Sequence, residues 1–169
     1  MKNIKTIVLG ALVLLSSARA LPALAEPVVG VRVTEKELTD LCRTVYAECL
    51  NQDTAGRAAV VHVCLERVRL PGFPKTLERV LAQPRAFSCR NGKGSRLYRR
   101  ALKFTLTTDD ARWQEVVQDV RAALVQGVPS YAQGVVMYKE KHVKRFPGCR
   151  VQPTWAFRAG DHDFYVVTG

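Results

Sequence analysis

The fold is decided by residues 34–50, which read TEKELTDLCRTVYAECL. Thr34 is followed three residues later by Glu37, and this capping box predicts the start of a helix. The apolar residues after it recur at the three- and four-residue spacing of one buried helical face. They are Leu38, Leu41, Cys42, Val45 and Cys49. The stretch therefore predicts a helix that runs to about Leu50 and packs one face into a core.

Three further helices are predicted downstream, over residues 54–69, 76–82 and 108–126. Asp53 is the expected N-cap of the helix at 54–69. Thr108 or Asp109 is the expected N-cap of the helix at 108–126, and Gly127 is expected to end that helix. The helix at 54–69 is predicted to bury one apolar stripe. That stripe consists of Val60, Val61, Cys64, Leu65 and Val68.

The pattern changes toward the C-terminus. Residues 83–97 form a basic, glycine-containing loop without apolar periodicity. At 134–138 and 163–167, valine and tyrosine cluster between turn residues, which predicts short strands. Helices followed by a small β element predict a single, mainly helical α+β domain.

The N-terminus has the pattern of a secretory signal peptide. Lys2 and Lys5 precede a short apolar run at 7–15, and an Ala-Leu-Ala sequence then supplies the small residues that a signal peptidase requires. The run is too short to cross about 30 Å of hydrocarbon, and an uncleaved anchor is the alternative. We expect residues 1–25 to be removed and residues 26–169 to form one exported domain, periplasmic or extracellular, without a stable membrane anchor.

The charge is consistent with an envelope protein. The formal net charge is +11, and +8 remains without Lys2, Lys5 and Arg19. Charge of this sign attracts a protein to anionic wall polymers without specifying chemistry, and export argues against nucleic acid as the partner. We expect a monomer.

Five cysteines follow the signal segment, and no two are spaced as CxxC. Export favours disulfides, and an odd count leaves at least one thiol unpaired or pairing between chains. Cys42, Cys49 and Cys64 lie in helical patterns and are expected in the core. Cys89 and Cys149 lie in polar loops, and we predict a disulfide between them.

Glu48 is the candidate catalytic acid. It lies near the C-terminal end of the first predicted helix, where the helix dipole disfavours an ionised carboxylate. A half-buried glutamate at that end is therefore predicted to keep its proton near neutral pH, as a general acid must. The alternative is a solvated surface glutamate.

Four short elements carry a resemblance to a known family. They are Tyr-Ala-Glu at 46–48, Phe-Pro-Lys-Thr at 73–76, Gln-x-x-x-Phe-Ser at 83–88 and Gly-x-His-x-Phe-Tyr at 160–165. Their order, over roughly residues 38–165, resembles the SleB-type cell-wall hydrolases, the family of the spore-cortex-lytic enzymes. The chain departs from the family pattern at Glu66, where the family usually has asparagine, and at Lys139 and Glu140.

The resemblance implies a lysozyme-like lytic transglycosylase whose partner is the glycan strand of peptidoglycan. Such enzymes cut between N-acetylmuramic acid and N-acetylglucosamine, need no cofactor, and use one glutamate, here Glu48. An ordinary glycosidase would need a second carboxylate. Asp53 is the nearest in sequence, but its interpretation as a helix cap is favoured.

Several further residues are candidates for substrate binding, because aromatic rings stack on sugars and polar side chains bond their hydroxyls. They are Tyr46, Gln83, Phe87, Ser88, Tyr138, Trp155, His162 and Tyr165. A basic segment could meet the carboxylates of peptide stems or form a solvated face. It comprises Arg85, Arg90, Lys93, Arg96, Arg99 and Arg100.

Two other functions compete with the transglycosylase. A zinc amidase or endopeptidase would need three protein ligands, but the only histidines are His62, His142 and His162, and no HExxH motif is present. We therefore predict no metal site. An exported wall-binding protein that kept the scaffold without the activity is the other alternative.

Overall fold

A computed structural model describes residues 32–146 and 153–167. The predicted signal peptide and Cys149 lie outside the described residues. Five α-helices occur in the described part of the chain: α1 Glu35–Cys49, α2 Thr54–Arg69, α3 Leu77–Leu81, α4 Arg96–Ala101 and α5 Ala111–Gln126. Short 3₁₀ turns lie at Ser88–Arg90 and Ser130–Ala132. The strands are β1 Val135–Glu140, β2 Thr154–Ala159 and β3 His162–Val166.

The mainly helical α+β prediction is confirmed, and so are the first two helix starts. Thr34 Oγ1 accepts a hydrogen bond from the Glu37 backbone N–H at 3.2 Å, and the Glu37 carboxylate accepts one from the Thr34 N–H at 3.0 Å. Asp53 caps α2 by accepting from the Gly56 N–H at 2.8 Å. These local contacts fix where α1 and α2 begin.

The cap predicted for α5 was wrong. Asp110 is the N-cap, accepting from the Trp113 N–H at 3.0 Å, rather than Thr108 or Asp109. The Thr108 hydroxyl is already engaged in the preceding turn, where it accepts from the Thr105 N–H at 2.8 Å. At the other end Gly127 has a positive φ of 70°, which glycine adopts without strain.

Helix α2 is the centre of the core and is buried on nearly all sides, not only along the predicted stripe. It contacts α1, α3, α5 and β1. Its buried polar side chains are Arg57, His62, Glu66 and Arg67. All three charges have partners: Arg57 pairs with Asp119, Glu66 pairs with Arg69, and the Arg67 guanidinium donates to the Val136 carbonyl at 2.9 Å.

The sheet is antiparallel, in the order β1-β3-β2. Its inner face is aromatic: Phe164 stacks on Tyr138 with a centroid distance of 5.7 Å and on Phe157 at 4.9 Å. β1 packs on α2, so the sheet closes one side of the helical core. Within the described residues, no helix is both long and apolar enough to cross a membrane.

The predicted disulfide between Cys89 and Cys149 is wrong. Cys89 is a free thiol, 3% exposed, and its sulfur lies 4.0 Å from the Thr44 carbonyl oxygen. The side chain belongs to the buried core cluster. Burial raises the pKa of the Cys89 thiol, which therefore stays protonated.

Glu66, one of the departures from the family pattern, is the buried charge that ties α2 to the sheet. Its carboxylate accepts hydrogen bonds from the Gly134 N–H at 2.6 Å and from Arg69 at 2.7 and 2.8 Å. Burial acts to raise the Glu66 pKa, but these donors outweigh it and hold the pKa below the ordinary value of 4.5.

We expect Glu66→Gln to lower the free energy of unfolding at pH 7 by about 2 kcal/mol, since the neutral amide loses charge-assisted bonds in a buried place. A lowered carboxyl pKa contributes stability that is present above pH 4.5 and lost as the pH falls through the folded-state value. The difference in free energy of unfolding between the wild type and Glu66→Gln, measured by urea titration, should therefore shrink below pH 4.5. A difference that stayed constant down to pH 2 would contradict the ionic role.

Candidate active site

Glu48 lies in the last turn of α1, half-buried, and accepts three hydrogen bonds. Oε1 accepts from the Ser88 hydroxyl at 3.0 Å and from the Cys89 backbone N–H at 2.5 Å. Oε2 accepts from the Tyr138 hydroxyl at 3.1 Å. The carboxyl group is thus fixed between the 3₁₀ turn and strand β1, where the helical body meets the sheet.

The 3₁₀ turn is itself fastened to α1, which keeps its donors in place. The Cys89 carbonyl accepts from the Ser95 N–H at 2.7 Å, which closes the loop on itself. Arg90 donates to the Thr44 hydroxyl at 3.1 Å, one helical turn before Glu48. Because α1 carries both Thr44 and Glu48, the turn and the carboxyl group are held as one unit.

Tyr138 positions Glu48 from the side of the sheet. Its ring stacks on Phe164 and meets the edge of His162 at a centroid distance of 5.2 Å. Burial, and then the charge of Glu48, raises the pKa of Tyr138 well above its ordinary value of 10.0. The phenol therefore stays protonated, and it serves as a hydrogen-bond partner of the acid rather than as an open platform for sugar.

If Glu48 is the acid, we expect Tyr138→Phe to lower kcat roughly tenfold with little change in KM, because it removes one hydrogen bond to the Glu48 carboxyl group and keeps the ring. Steady-state kinetics on cell-wall fragments measures both constants. Tyr131→Phe is the matched control, since Tyr131 is 66% exposed. A role in sugar stacking alone would leave Tyr138→Phe fully active, because phenylalanine stacks as well as tyrosine.

Two of the predicted substrate-binding residues are core residues instead. Tyr46 is 1% exposed and packs edge-on against Phe104 and Trp113, at centroid distances of 5.6 and 5.9 Å. Phe87 is 2% exposed, and the guanidinium of Arg67 lies over its ring at 5.3 Å. Both lie within two residues of a site residue in the sequence, but both are buried in the core, so neither is open to a substrate in this structure.

The other predicted residues lie in different places around the site. His162 is buried against Tyr138, and burial lowers its pKa below the ordinary 6.5, so it is neutral at neutral pH. Trp155 and Tyr165 are paired across β2 and β3, and the Trp155 indole N–H donates to Asp163 at 3.3 Å. Asp163 and Tyr165 alternate with the buried Phe164, so this pair lies on the opposite face of the sheet.

A cleft of about 1180 Å³ opens between the segment 81–92 and strand β1. Its walls include Arg90 and Met137, the chain neighbours of Cys89 and Tyr138, but neither Glu48 nor any of its three hydrogen-bond partners lines it. Gln83, one of the predicted substrate-binding residues, lines this cleft. The full set of lining residues is Leu81, Ala82, Gln83, Pro84, Arg85, Arg90, Asn91, Gly92, Tyr98, Met137 and Phe146.

Asp53 and a metal ion are the two alternatives to a single catalytic glutamate that the sequence raised. Asp53 is engaged as the cap of α2 through its bond to Gly56. Across residues 32–146 and 153–167, no three His, Cys, Asp or Glu side chains are grouped so that they could hold a metal ion. The Glu48 carboxyl group is of a kind that can give and take a proton.

A carboxyl group held by three hydrogen bonds lies where the helical body meets the small sheet, and this is the candidate active site. The sequence profile of the cell wall hydrolase family matches residues 51–165. The chain belongs to the cell wall hydrolase family, which confirms the resemblance found in the sequence. Glu48 lies three residues before the matched range, so the family match does not include it.

Solved structures agree on the fold. The catalytic domain of the Bacillus cereus SleB protein is 19% identical with a TM-score of 0.57, and the alignment covers 79% of this chain and 92% of that domain. The catalytic domain of the germination-specific lytic transglycosylase SleB from Bacillus anthracis is 20% identical with a TM-score of 0.54, covering 78% of this chain and 95% of that domain. None of the curated proteins matches the sequence.

Proposed function

We propose that the protein is a lytic transglycosylase that cuts the glycan strand of peptidoglycan between N-acetylmuramic acid and N-acetylglucosamine. The observation that carries the proposal is the held carboxyl group of Glu48, with hydrogen-bond partners on both oxygens. Asp53, the nearest alternative acid in sequence, is occupied at a helix cap. One carboxyl group suffices for a transglycosylase, whereas an ordinary glycosidase uses two.

Glu48 would act first as an acid and then as a base. Its proton passes to the glycosidic oxygen, the bond from that oxygen to the muramoyl C1 breaks, and the glucosamine end leaves as an alcohol. The Glu48 carboxylate then takes the proton of the muramoyl C6 hydroxyl, whose oxygen bonds to C1 and closes a 1,6-anhydro ring. The acid is restored, and no water is consumed.

The three partners of Glu48 suit both steps. The Ser88 hydroxyl and Cys89 N–H stabilise the carboxylate that forms when the proton leaves. The Tyr138 hydroxyl can accept from the protonated form and donate to the ionised one. The carboxyl group therefore keeps its place throughout the reaction.

The setting of the reaction is the cell envelope. A signal peptide at 1–25 would deliver residues 26–169 as a monomeric enzyme to the periplasm or the cell exterior. The excess positive charge of the mature chain would then hold it near the anionic wall.

The product distinguishes the mechanism. Mass spectrometry of sacculi digested by the purified protein should find muropeptides with anhydro-muramoyl ends, each lighter by one water than the reducing form. Reducing ends would indicate a hydrolase with a second general base instead. Intact sacculi after long incubation would indicate a wall-binding protein, and loss of activity with a chelator would indicate a metal enzyme.

A further inference from the structure

One stretch of the chain carries all of its excess positive charge. Residues 79–108 contain eight lysine and arginine side chains and no aspartate or glutamate. Eight is also the whole net charge that remains without Lys2, Lys5 and Arg19, so the rest of residues 26–169 has equal numbers of both signs. A surface charged only for solubility intersperses both signs, whereas this stretch carries one.

Helix α4 gathers four of these charges on one side. Arg96, Arg99, Arg100 and Lys103 follow the three- and four-residue spacing of a single helical face, and all four are exposed. Lys103 lies just past the helix, where its backbone N–H still donates to the Arg100 carbonyl at 3.2 Å. These four residues, called the α4 face below, extend over roughly 10 Å at the rise of an α-helix.

The charges of the α4 face are mostly not neutralised within the described part of the chain. Arg100 pairs with Asp110 at 2.8 Å, and Arg99 donates to the neutral Gly94 carbonyl at 2.5 Å. The side chains of Arg96 and Lys103 have no hydrogen bond or ion pair with any described residue. Like charges three and four residues apart repel and destabilise a helix, so the α4 face has a cost that an anionic partner would offset.

The packing of α4 favours a hydrated polymer over a membrane as that partner. A helix that binds in a membrane interface buries an apolar side there. The apolar side of α4, formed by Leu97, Tyr98 and Ala101, packs into the protein core instead. Leu102 is 48% exposed, but a single leucine is ordinary on a protein surface. The α4 face can therefore hold a partner by charge alone, which suits a polyanion.

We propose that the α4 face is a wall-retention surface that binds the free carboxylates of peptide stems on strands around the one being cut. The inference rests on the proposed function for its polymer, peptidoglycan, whose stems repeat along every strand. Several weak ion pairs to one polymer reinforce each other, because after the first contact the others form within the same complex. The surface keeps the enzyme on the wall between cuts and takes no part in the chemistry of Glu48.

The test is co-sedimentation with purified sacculi, in a Glu48→Gln background so that the wall is not cut during the measurement. Arg96→Gln, Arg99→Gln and Lys103→Gln together should raise the Kd for sacculi roughly tenfold, the combined effect of three exposed ion pairs. The Kd of the parent protein should rise with salt concentration, and that of the glutamine triple should rise less steeply.

Two further variants separate the α4 face from overall charge and from folding. Arg32→Gln, Lys144→Gln and Arg145→Gln together remove the same charge at exposed positions outside residues 79–108, and should leave the Kd nearly unchanged. Arg96→Lys with Arg99→Lys should bind like the parent, because the charge is kept. The glutamine triple should resist urea at least as well as the parent, because repulsion within α4 is relieved.

Three ligands identify the partner of the unaltered α4 face. Sacculi whose carboxylates have been converted to amides with a carbodiimide and ammonia should lose the protein. Sacculi freed of phosphate polymers by hydrofluoric acid should retain it, and phosphatidylglycerol vesicles should bind it more weakly than sacculi do. Full binding to amidated sacculi, loss after hydrofluoric acid or tighter binding to the vesicles would each overturn stem carboxylates as the partner.

The outcomes keep this inference apart from the proposed function. An unchanged Kd for the glutamine triple, or an equal loss in the control triple, overturns the α4 face while release of anhydro products by the wild type upholds the reaction. A wild type that binds sacculi through α4 but cuts none of them overturns the proposed function and upholds the retention surface.

Discussion

Replacing Glu48 by glutamine is expected to lower the rate of glycan cleavage by at least about 10³-fold, the scale of a lost general acid. The amide cannot give up a proton to the glycosidic oxygen, and it cannot take one from the C6 hydroxyl. The side chain keeps its shape. Its oxygen can still accept from Ser88 and Cys89, and its amino group can donate to the Tyr138 hydroxyl.

The measurement is the yield of anhydro-muropeptides against time, by mass spectrometry, with wild type and Glu48→Gln at equal concentration. Glu115→Gln on α5 is the matched control, since it makes the same change on an exposed helical surface. Near-wild-type cleavage by a folded Glu48→Gln protein would show that another group supplies the proton, and the assignment of the acid would be lost.

The place of Glu48 near the end of α1 could be predicted from the sequence, but its surroundings could not. Position at the end of a capped helix is a local property, readable from residues 34–50. The partners of Glu48 lie 40, 41 and 90 residues away along the chain. One of them is a backbone N–H, which no residue type at Cys89 could have revealed. Contacts between residues so far apart along the chain depend on how the helices and strands pack, and that packing cannot be read from a local sequence pattern.

Secondary structure was missed where packing, rather than local pattern, decides it. Strand β2 was not predicted because its sequence does not alternate between buried and exposed residues. Its first two residues, Thr154 and Trp155, are both exposed, and its register against β3 shifts between Trp155 and Phe157. Helix α4, Arg96–Ala101, was not predicted because it is short and rich in arginine, and its first two residues lie in the loop predicted over 83–97. Ala101 is the buried residue of α4, and it packs into the hydrophobic core.

The departure at Glu66 has a structural consequence for the site. Glu66 binds the backbone of Gly134, just before β1, and the same strand carries Tyr138. A buried carboxylate on α2 thus sets the position of the strand that supplies one of the three partners of Glu48. Loss of this tie in Glu66→Gln should therefore weaken catalysis as well as stability, although Glu66 itself does not contact the acid.

Trp113→Ala is expected to lower the free energy of unfolding by about 3–5 kcal/mol, the usual cost of removing a large aromatic side chain from a core. Trp113 on α5 is fully buried and packs with Phe104 at 5.2 Å and with Tyr46 at 5.9 Å. Its indole N–H donates to the Thr105 carbonyl at 2.7 Å, so alanine leaves a cavity and an unpaired acceptor.

This loss is a large share of the roughly 5–15 kcal/mol that stabilises a domain of this kind, so the variant should unfold at a much lower temperature or urea concentration. Circular dichroism during urea titration measures the difference. Trp155→Ala is the control, because Trp155 is 56% exposed and its removal should cost less than about 1 kcal/mol. Tyr46 lies two residues before Glu48 on α1, so the cavity next to Tyr46 should also loosen the end of the helix that holds the acid. Equal unfolding midpoints for the two tryptophan variants would contradict a core built around Trp113.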